Sequence, residues 1–150
     1  MSIEIHPIEP TDIPAIHQAV ETLWGSHVII VHLKQYNCDD LPGFAAFMEG
    51  DLVGFLHYEI RDEVCEVMTL ASLTNTRGIG TALMAAAERI AAEENRTCLQ
   101  VTTTNDNLHA ISFYQHRGLR IKEVYPGRSE QARKIKPAIP LVRASSLPIE

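Results

Sequence analysis

Residues 75–81, Asn-Thr-Arg-Gly-Ile-Gly-Thr, place two glycines, one guanidinium and three small polar side chains ahead of the alanine-rich run that begins at Ala82. If that run is a helix, its first main-chain N–H groups lack intrahelical acceptors, and its dipole adds about half a positive charge there. Glycines at 78 and 80 let an anion approach the backbone and Arg77 adds a full charge, so the chemistry on offer is binding of a phosphate or diphosphate. The pattern is neither the P-loop G-x-x-x-x-G-K-[ST] nor the dinucleotide G-x-G-x-x-G, since position 83 is leucine. A glycine turn that merely opens a packed helix is the other reading of these residues.

A second constellation runs from Asn107 to Leu119, N-L-H-A-I-S-F-Y-Q-H-R-G-L. On a helix Ala110 and Tyr114 lie one turn apart, with Asn107 at or near the N-cap, so an amide and a phenol could meet one ligand. Tyr114 reads equally as a core aromatic with a surface-bonded hydroxyl. Cysteines stand at 38, 65 and 98 without a C-x-x-C pair, which argues against a disulfide framework or a zinc knuckle. There are seven histidines but no H-E-x-x-H. His109 and His116 could share a helix face, yet no nearby cysteine or carboxylate completes a ligand set, and no metal is expected.

These segments need elements to hold them. Ile3 and Ile5 alternate with polar neighbours up to Pro7 and predict a first strand. Thr11-Asp12 is expected to cap a helix with Pro14 in its first turn, an apolar stripe of Ile13, Ile16, Val20 and Leu23 or Trp24, and Gly25 at its end. Residues 28–31 are a β-branched strand, and residues 34–43 read as a polar loop. Residues 44–48, 52–60 and 64–70, separated by short turns, form an antiparallel meander. A helix from Ile79, a strand over 98–103, a helix over 108–117 capped by Gly118, and closing strands over 119–124 and 138–142 complete the order. A basic loop with Arg128, Arg133, Lys134 and Lys136 separates the last two. The fold class is α/β, with a mixed, mostly antiparallel sheet flanked by helices.

The 150 residues fit one domain spanning 1–150, with no repeat or linker. Thirteen Lys and Arg against 19 Asp and Glu give a formal charge of −6, which repels nucleic acid. No apolar run is long enough to span a membrane, and the first residues lack a signal peptide's basic start and apolar core. A cytoplasmic location is the expectation.

Taken together, strand, N-T-R-G-I-G-T, helix, strand and N-x-x-A-x-x-F-Y-x-x-x-G-L resemble the GCN5-related N-acetyltransferases, the GNAT family, over most of the chain. The resemblance implies acetyl-CoA as cosubstrate, with its pyrophosphate on Asn75, Thr76, Arg77, Gly78, Ile79, Gly80 and Thr81. It implies two splayed strands, those ending at Leu70 and Thr103, with Met68, Thr69 and Leu70 offering backbone groups to pantetheine and to the acetyl oxygen. Asn107 matches the family's asparagine beside the pantetheine arm, and Tyr114 its frequent general acid. Asn75 departs from the Gln or Arg usual there. The implied reaction is direct attack of a small molecule's primary amine on the thioester in a ternary complex, and a homodimer is implied as well.

An alkylammonium of pKa about 10.4 must first lose a proton, at roughly 4–5 kcal/mol near neutral pH. A carboxylate, or water held by one, must take it. Glu66 is the leading candidate, two to four residues before the acetyl contact, with Glu63 and Glu59 as alternatives. Helix 1, residues 26–43 and residues 125–136 are the implied acceptor walls, with Trp24, His27, His32, Tyr36 and Tyr125 as candidate lining. A non-catalytic acyl-CoA-binding or sensing module on the same fold is the alternative function.

Overall fold

The computed structural model describes residues 2–103 and 108–121. They contain seven strands and three α-helices: β1 (Glu4–Pro7), α1 (Ile13–Trp24), β2 (Val28–Val31), β3 (Lys34–Asn37), β4 (Gly43–Met48), β5 (Asp51–Arg61), β6 (Val64–Ser72), α2 (Ile79–Glu93), β7 (Cys98–Val101) and α3 (Leu108–His116). The chain divides into two compact units. The first is Met1–Ile29 with Tyr36–Val101, and the second holds Ile30–Gln35 and α3.

Five strands of the first unit form one sheet in the order β1-β4-β5-β6-β7, antiparallel at every step except β6-β7. The α2 crossover makes that one parallel pairing possible, because parallel strands cannot be joined by a tight turn. Tight connections serve the meander: Glu49 and Gly50 take left-handed φ of 52° and 84° between β4 and β5, and Asp62 does so at 50° between β5 and β6. Pro7 is tolerated because β1 ends the sheet.

Helix α1 buries Ile16 and Val20 and stops at Gly25, whose φ of 78° suits glycine and whose N–H reaches Glu21 O. Its start differs from the expected cap. A single turn of 3-10 helix over Pro10–Asp12 precedes it, and Asp12 Oδ2 reaches back to accept from Glu9 N–H at 2.9 Å. A second difference lies at residues 34–37, read as loop but folded as β3 against β2 in a separate two-stranded sheet. The left-handed pair His32 and Leu33, at φ 51° and 64°, turns the chain back so that main-chain pairing needs no apolar alternation in Lys-Gln-Tyr-Asn.

The sheet's two faces are packed by different helices. Phe55, Ala45 and Ala71 meet Ile16 and Val20 on the α1 side. On the other side Gly54 faces α2 so closely that a Cβ there would lie 2.7 Å from both Ile79 Cγ2 and Ala71 O, and 3.2 Å from Leu83 Cδ1. Alternation along β5 therefore puts Leu56 and Tyr58 towards α2, and His57, Glu59 and Arg61 towards the α1 side.

In the second unit α3 closes with Gly118 at φ 92°, its N–H bonded to Gln115 O and that of Leu119 to Tyr114 O, a Schellman ending. Leu119, Arg120 and Ile121 carry no regular structure, so the strand expected over 119–124 is not formed in its described part. Asn107, Tyr125, the basic loop and the strand expected over 138–142 lie outside the described residues.

Candidate active site

Strands β6 and β7 are paired from Val64↔Cys98 to Val67↔Val101, and there the pairing stops while β6 runs on to Ser72. At the same point the register with β5 slips: Tyr58 faces Val67 and His57 faces Thr69, which leaves Met68 as the extra residue of a bulge. A bulge bends its strand and increases local twist, so it supplies a physical reason for β6 to leave β7 here. Met68, Thr69 and Leu70 follow the end of that pairing.

From Ser72 the chain leads directly into the glycine segment. Ser72 Oγ donates to Thr74 O at 2.9 Å, and Thr74 Oγ1 accepts from Thr76 N–H at 3.3 Å. Asn75, Thr76, Arg77 and Gly78 are exposed. Gly78 is the N-cap of α2 with φ 91°, which favours glycine, and no side chain caps the helix. Its first N–H groups are thus left to solvent or to an anion. Ile79 offers only its backbone, since its side chain is buried against Gly54. Gly80 is half-buried and Thr81 exposed in the same turn.

Glu66 lies on the α1 side of the sheet, opposite Glu59, and is fully buried. Arg61 Nη2 donates to its Oε1 at 2.6 Å and Gln100 Nε2 to its Oε2 at 3.3 Å. The same guanidinium donates to Glu59 Oε2 at 3.3 Å. Glu66 raises the pKa of Arg61, chiefly through that hydrogen bond. Tyr36 joins the group: burial, then its hydrogen bond to Glu59, raise its pKa. Glu63 stands apart in the β5-β6 turn, where its Oε2 accepts from Thr97 Oγ1 at 3.4 Å. The cluster therefore holds two carboxylates and one guanidinium.

Thr69's side chain is committed elsewhere. Its Oγ1 accepts from His57 N–H at 3.0 Å and lies 2.6 Å from His57 Nδ1. His57 is 2% exposed, and burial pushes its pKa down to about 4, with the Asp39 charge opposing. In the unfolded chain it titrates near its ordinary value of 6.5. Between those values the unfolded state binds the extra proton, so His57 favours the native state above that window, and the advantage fades as pH falls through it. Urea unfolding is expected to show about 2 kcal/mol less stability near pH 5 than near pH 7.5 from this group, with the step abolished in His57→Gln.

Tyr114 belongs to the second unit, where α3 carries it half-buried and edge-on to Phe113 at 5.5 Å between ring centroids. Burial raises its pKa, so at neutral pH the phenol keeps its proton. Within the first unit a further group comes together that the sequence analysis did not find. His17, Glu21 and His27 converge at the end of α1, with Asp39 on His17. His17 and Glu21 are four apart on one helix, a usable signal, but His27 lies beyond Gly25 and only the turn brings it back. Among the described residues, no helix is long and apolar enough to cross a membrane.

The sheet is mixed, with one bulged strand whose parallel pairing stops at Val67 and which leads into an uncapped helix start. Residues 14–119 match the acetyltransferase (GNAT) family, and the chain belongs to it. It is accordingly an N-acetyltransferase. Two proteins of Bacillus subtilis (strain 168) resemble it along most of their length. The uncharacterized protein YxbD is 39% identical over 127 residues, 84% of this chain and 80% of that one. The uncharacterized protein YdhI is 39% identical over 125 residues, 83% and 78%. Among solved structures, AAC(6')-Iy in complex with the bisubstrate analogue CoA-S-monomethyl-acetylneamine shares the fold with TM-score 0.68 at 16% identity, covering 83% of this chain and 95% of that one. PaiA N-acetyltransferase from Thermoplasma acidophilum in complex with coenzyme A does so with TM-score 0.64 at 16% identity, covering 84% and 94%.

Proposed function

We propose that this acetyltransferase works as one domain and moves the acetyl group of acetyl-CoA to a primary amine of a small molecule, by direct attack within a ternary complex. The observation that carries the reading is the parting of β6 from β7 at the Met68 bulge, joined by one short loop to the uncapped start of α2. Backbone groups of Met68, Thr69 and Leu70 hold pantetheine and bond the thioester oxygen. The N–H groups of residues 78–81, with Asn75, Thr76 and Arg77, receive the diphosphate. Solved structures of the same fold support the reading, being complexes with coenzyme A or with a CoA-aminoglycoside analogue.

In this mechanism the amine nitrogen attacks the carbonyl carbon, the carbonyl π pair moves to oxygen, and a backbone N–H near Leu70 stabilises the oxyanion. Collapse re-forms the carbonyl and expels CoA sulfur, to which Tyr114 donates its proton, and the remaining proton of the attacking nitrogen, released as the neutral amide forms, restores the phenol. Glu66 takes the ammonium proton through water, because Arg61 and Gln100 cover its carboxylate. With Glu59 it leaves one net negative charge beside Arg61, which favours a cationic acceptor.

Acetyl-CoA binding by calorimetry, followed by thiol release with a panel of amines, tests the function. Saturable binding and amine-dependent thiol release are expected; a folded protein that binds no acetyl-CoA would end the proposal. Tyr114→Phe should lower kcat by about 100-fold while leaving acetyl-CoA affinity largely unchanged. Unaltered turnover would remove Tyr114 from the proton path.

A further inference from the structure

The end of α1 gathers side chains to which the proposed mechanism assigns no step. His17 Nε2 lies 3.0 Å from Glu21 Oε1, and His27 Nδ1 lies 3.4 Å from the same oxygen. All three ligand atoms lie within 4.8 Å of one another. On its other edge His17 Nδ1 meets Asp39 Oδ2 at 2.7 Å. The two imidazole rings tilt together with centroids 4.6 Å apart.

We infer that His17, Glu21 and His27 form a binding site for a borderline divalent metal ion, zinc being its natural occupant, with Asp39 as the carboxylate that orients His17. Geometry is the first argument. A tetrahedral ion with bonds of about 2.0–2.1 Å holds its ligands roughly 3.3 Å apart, and the two measured separations lie on either side of that value. Ligand chemistry is the second, because two imidazoles and one carboxylate suit Zn2+ and its first-row neighbours, not Mg2+ or Ca2+. The third argument is the support behind the ligand. A carboxylate on the far ring nitrogen of a ligating histidine fixes its tautomer and orientation, and Asp39 stands in that position.

Local backbone structure explains the convergence. His17 and Glu21 are one helical turn apart, and Gly25 in the left-handed region turns the chain so that His27 comes back over Glu21. The backbone carbonyl of His27 accepts from Cys38 N–H at 2.9 Å, which anchors that turn beside Asp39. An ion here would clip the end of α1 to the turn that leads into β2. All four side chains are partly exposed, between 28% and 42%, so an ion can enter without unfolding the protein.

The test is calorimetric titration of the chain, prepared without a histidine tag and stripped with EDTA, with ZnCl2 near pH 8. One Zn2+ per chain is expected at this site, together with a rise in Tm that grows with free zinc. Co2+ in place of zinc should give visible d–d absorption and quench Trp24, the single tryptophan, three residues past Glu21. His27→Ala should abolish all four responses, and Asp39→Asn should weaken zinc binding by about tenfold without changing the stoichiometry. His109→Ala should leave them intact. Circular dichroism of each variant in EDTA separates loss of binding from loss of fold. Zinc binding that survives in both His17→Ala and His27→Ala, or a folded wild type that takes up no zinc, would overturn the assignment. Acetyl-CoA titration is independent of these results.

Discussion

Gly80→Glu is expected to abolish measurable acetyl-CoA binding while raising thermal stability. The substitution places a carboxylate in the first turn of α2, where the free N–H groups and the dipole favour negative charge, and replaces a helical glycine with a better helix former. Together these should add roughly 1 kcal/mol, or about 3 °C in Tm for a domain of this size. The same charge occupies the place proposed for the diphosphate, and like charges in contact cost several kcal/mol, so affinity should fall by at least about 100-fold. The opposed signs make the experiment informative: a variant that is more stable and fails to bind has lost the site, not the fold. Unchanged affinity would remove the diphosphate from α2.

The second large effect concerns Gly54, which is buried. Gly54→Ala would bring a methyl group to 2.7 Å from Ala71 O on the paired strand and from Ile79 Cγ2. Side chains can rotate, but Ala71 O is main chain held in the β5-β6 ladder, so the relief must come from lifting α2 or bending the strand. Overpacking of this kind costs about 3 kcal/mol, to be read as a lower urea midpoint with an unchanged slope. Because Ile79 opens α2, acetyl-CoA affinity should fall with stability. A variant as stable as the wild type would show that the close approach of α2 to β5 is dispensable.

Much of this architecture is legible in residue types alone. Runs such as Phe44-Ala45-Ala46-Phe47 and Val64-Cys65-Glu66-Val67, broken by Glu49-Gly50 and Asp62-Glu63, state a meander because aromatic and β-branched residues suit pleated surfaces and the turns take left-handed φ. The alanines after Gly80 state a helix equally well. What residue types could not convey was pairing. Strand β3 exists because His32 and Leu33 reverse the chain, not because Lys34 or Gln35 prefers a strand. The Met68 bulge is a matter of register between β5 and β6, and one-dimensional alternation carries no trace of it. Glu66 was singled out by its distance along the strand from the acetyl contact that the resemblance implies, whereas its partners Arg61 and Gln100 come from neighbouring strands whose alignment only the fold fixes. The cluster on His27 was missed for a related reason, since helical periodicity stops at Gly25.

The parallel pairing also carries a kinetic consequence. Hairpins β4-β5 and β5-β6 each close across two residues, but β7 reaches β6 only after the whole of α2 has been traversed, a longer and entropically slower closure. The seam between β6 and β7 is short, ending at Val67 and Val101. Amide protons there should exchange with solvent before those between β5 and β6, and the seam should assemble after the β4-β5-β6 meander. A ligand bridging the parted ends of these strands would bind only the finished sheet, so the cosubstrate would slow its opening and serve as its own site's final brace.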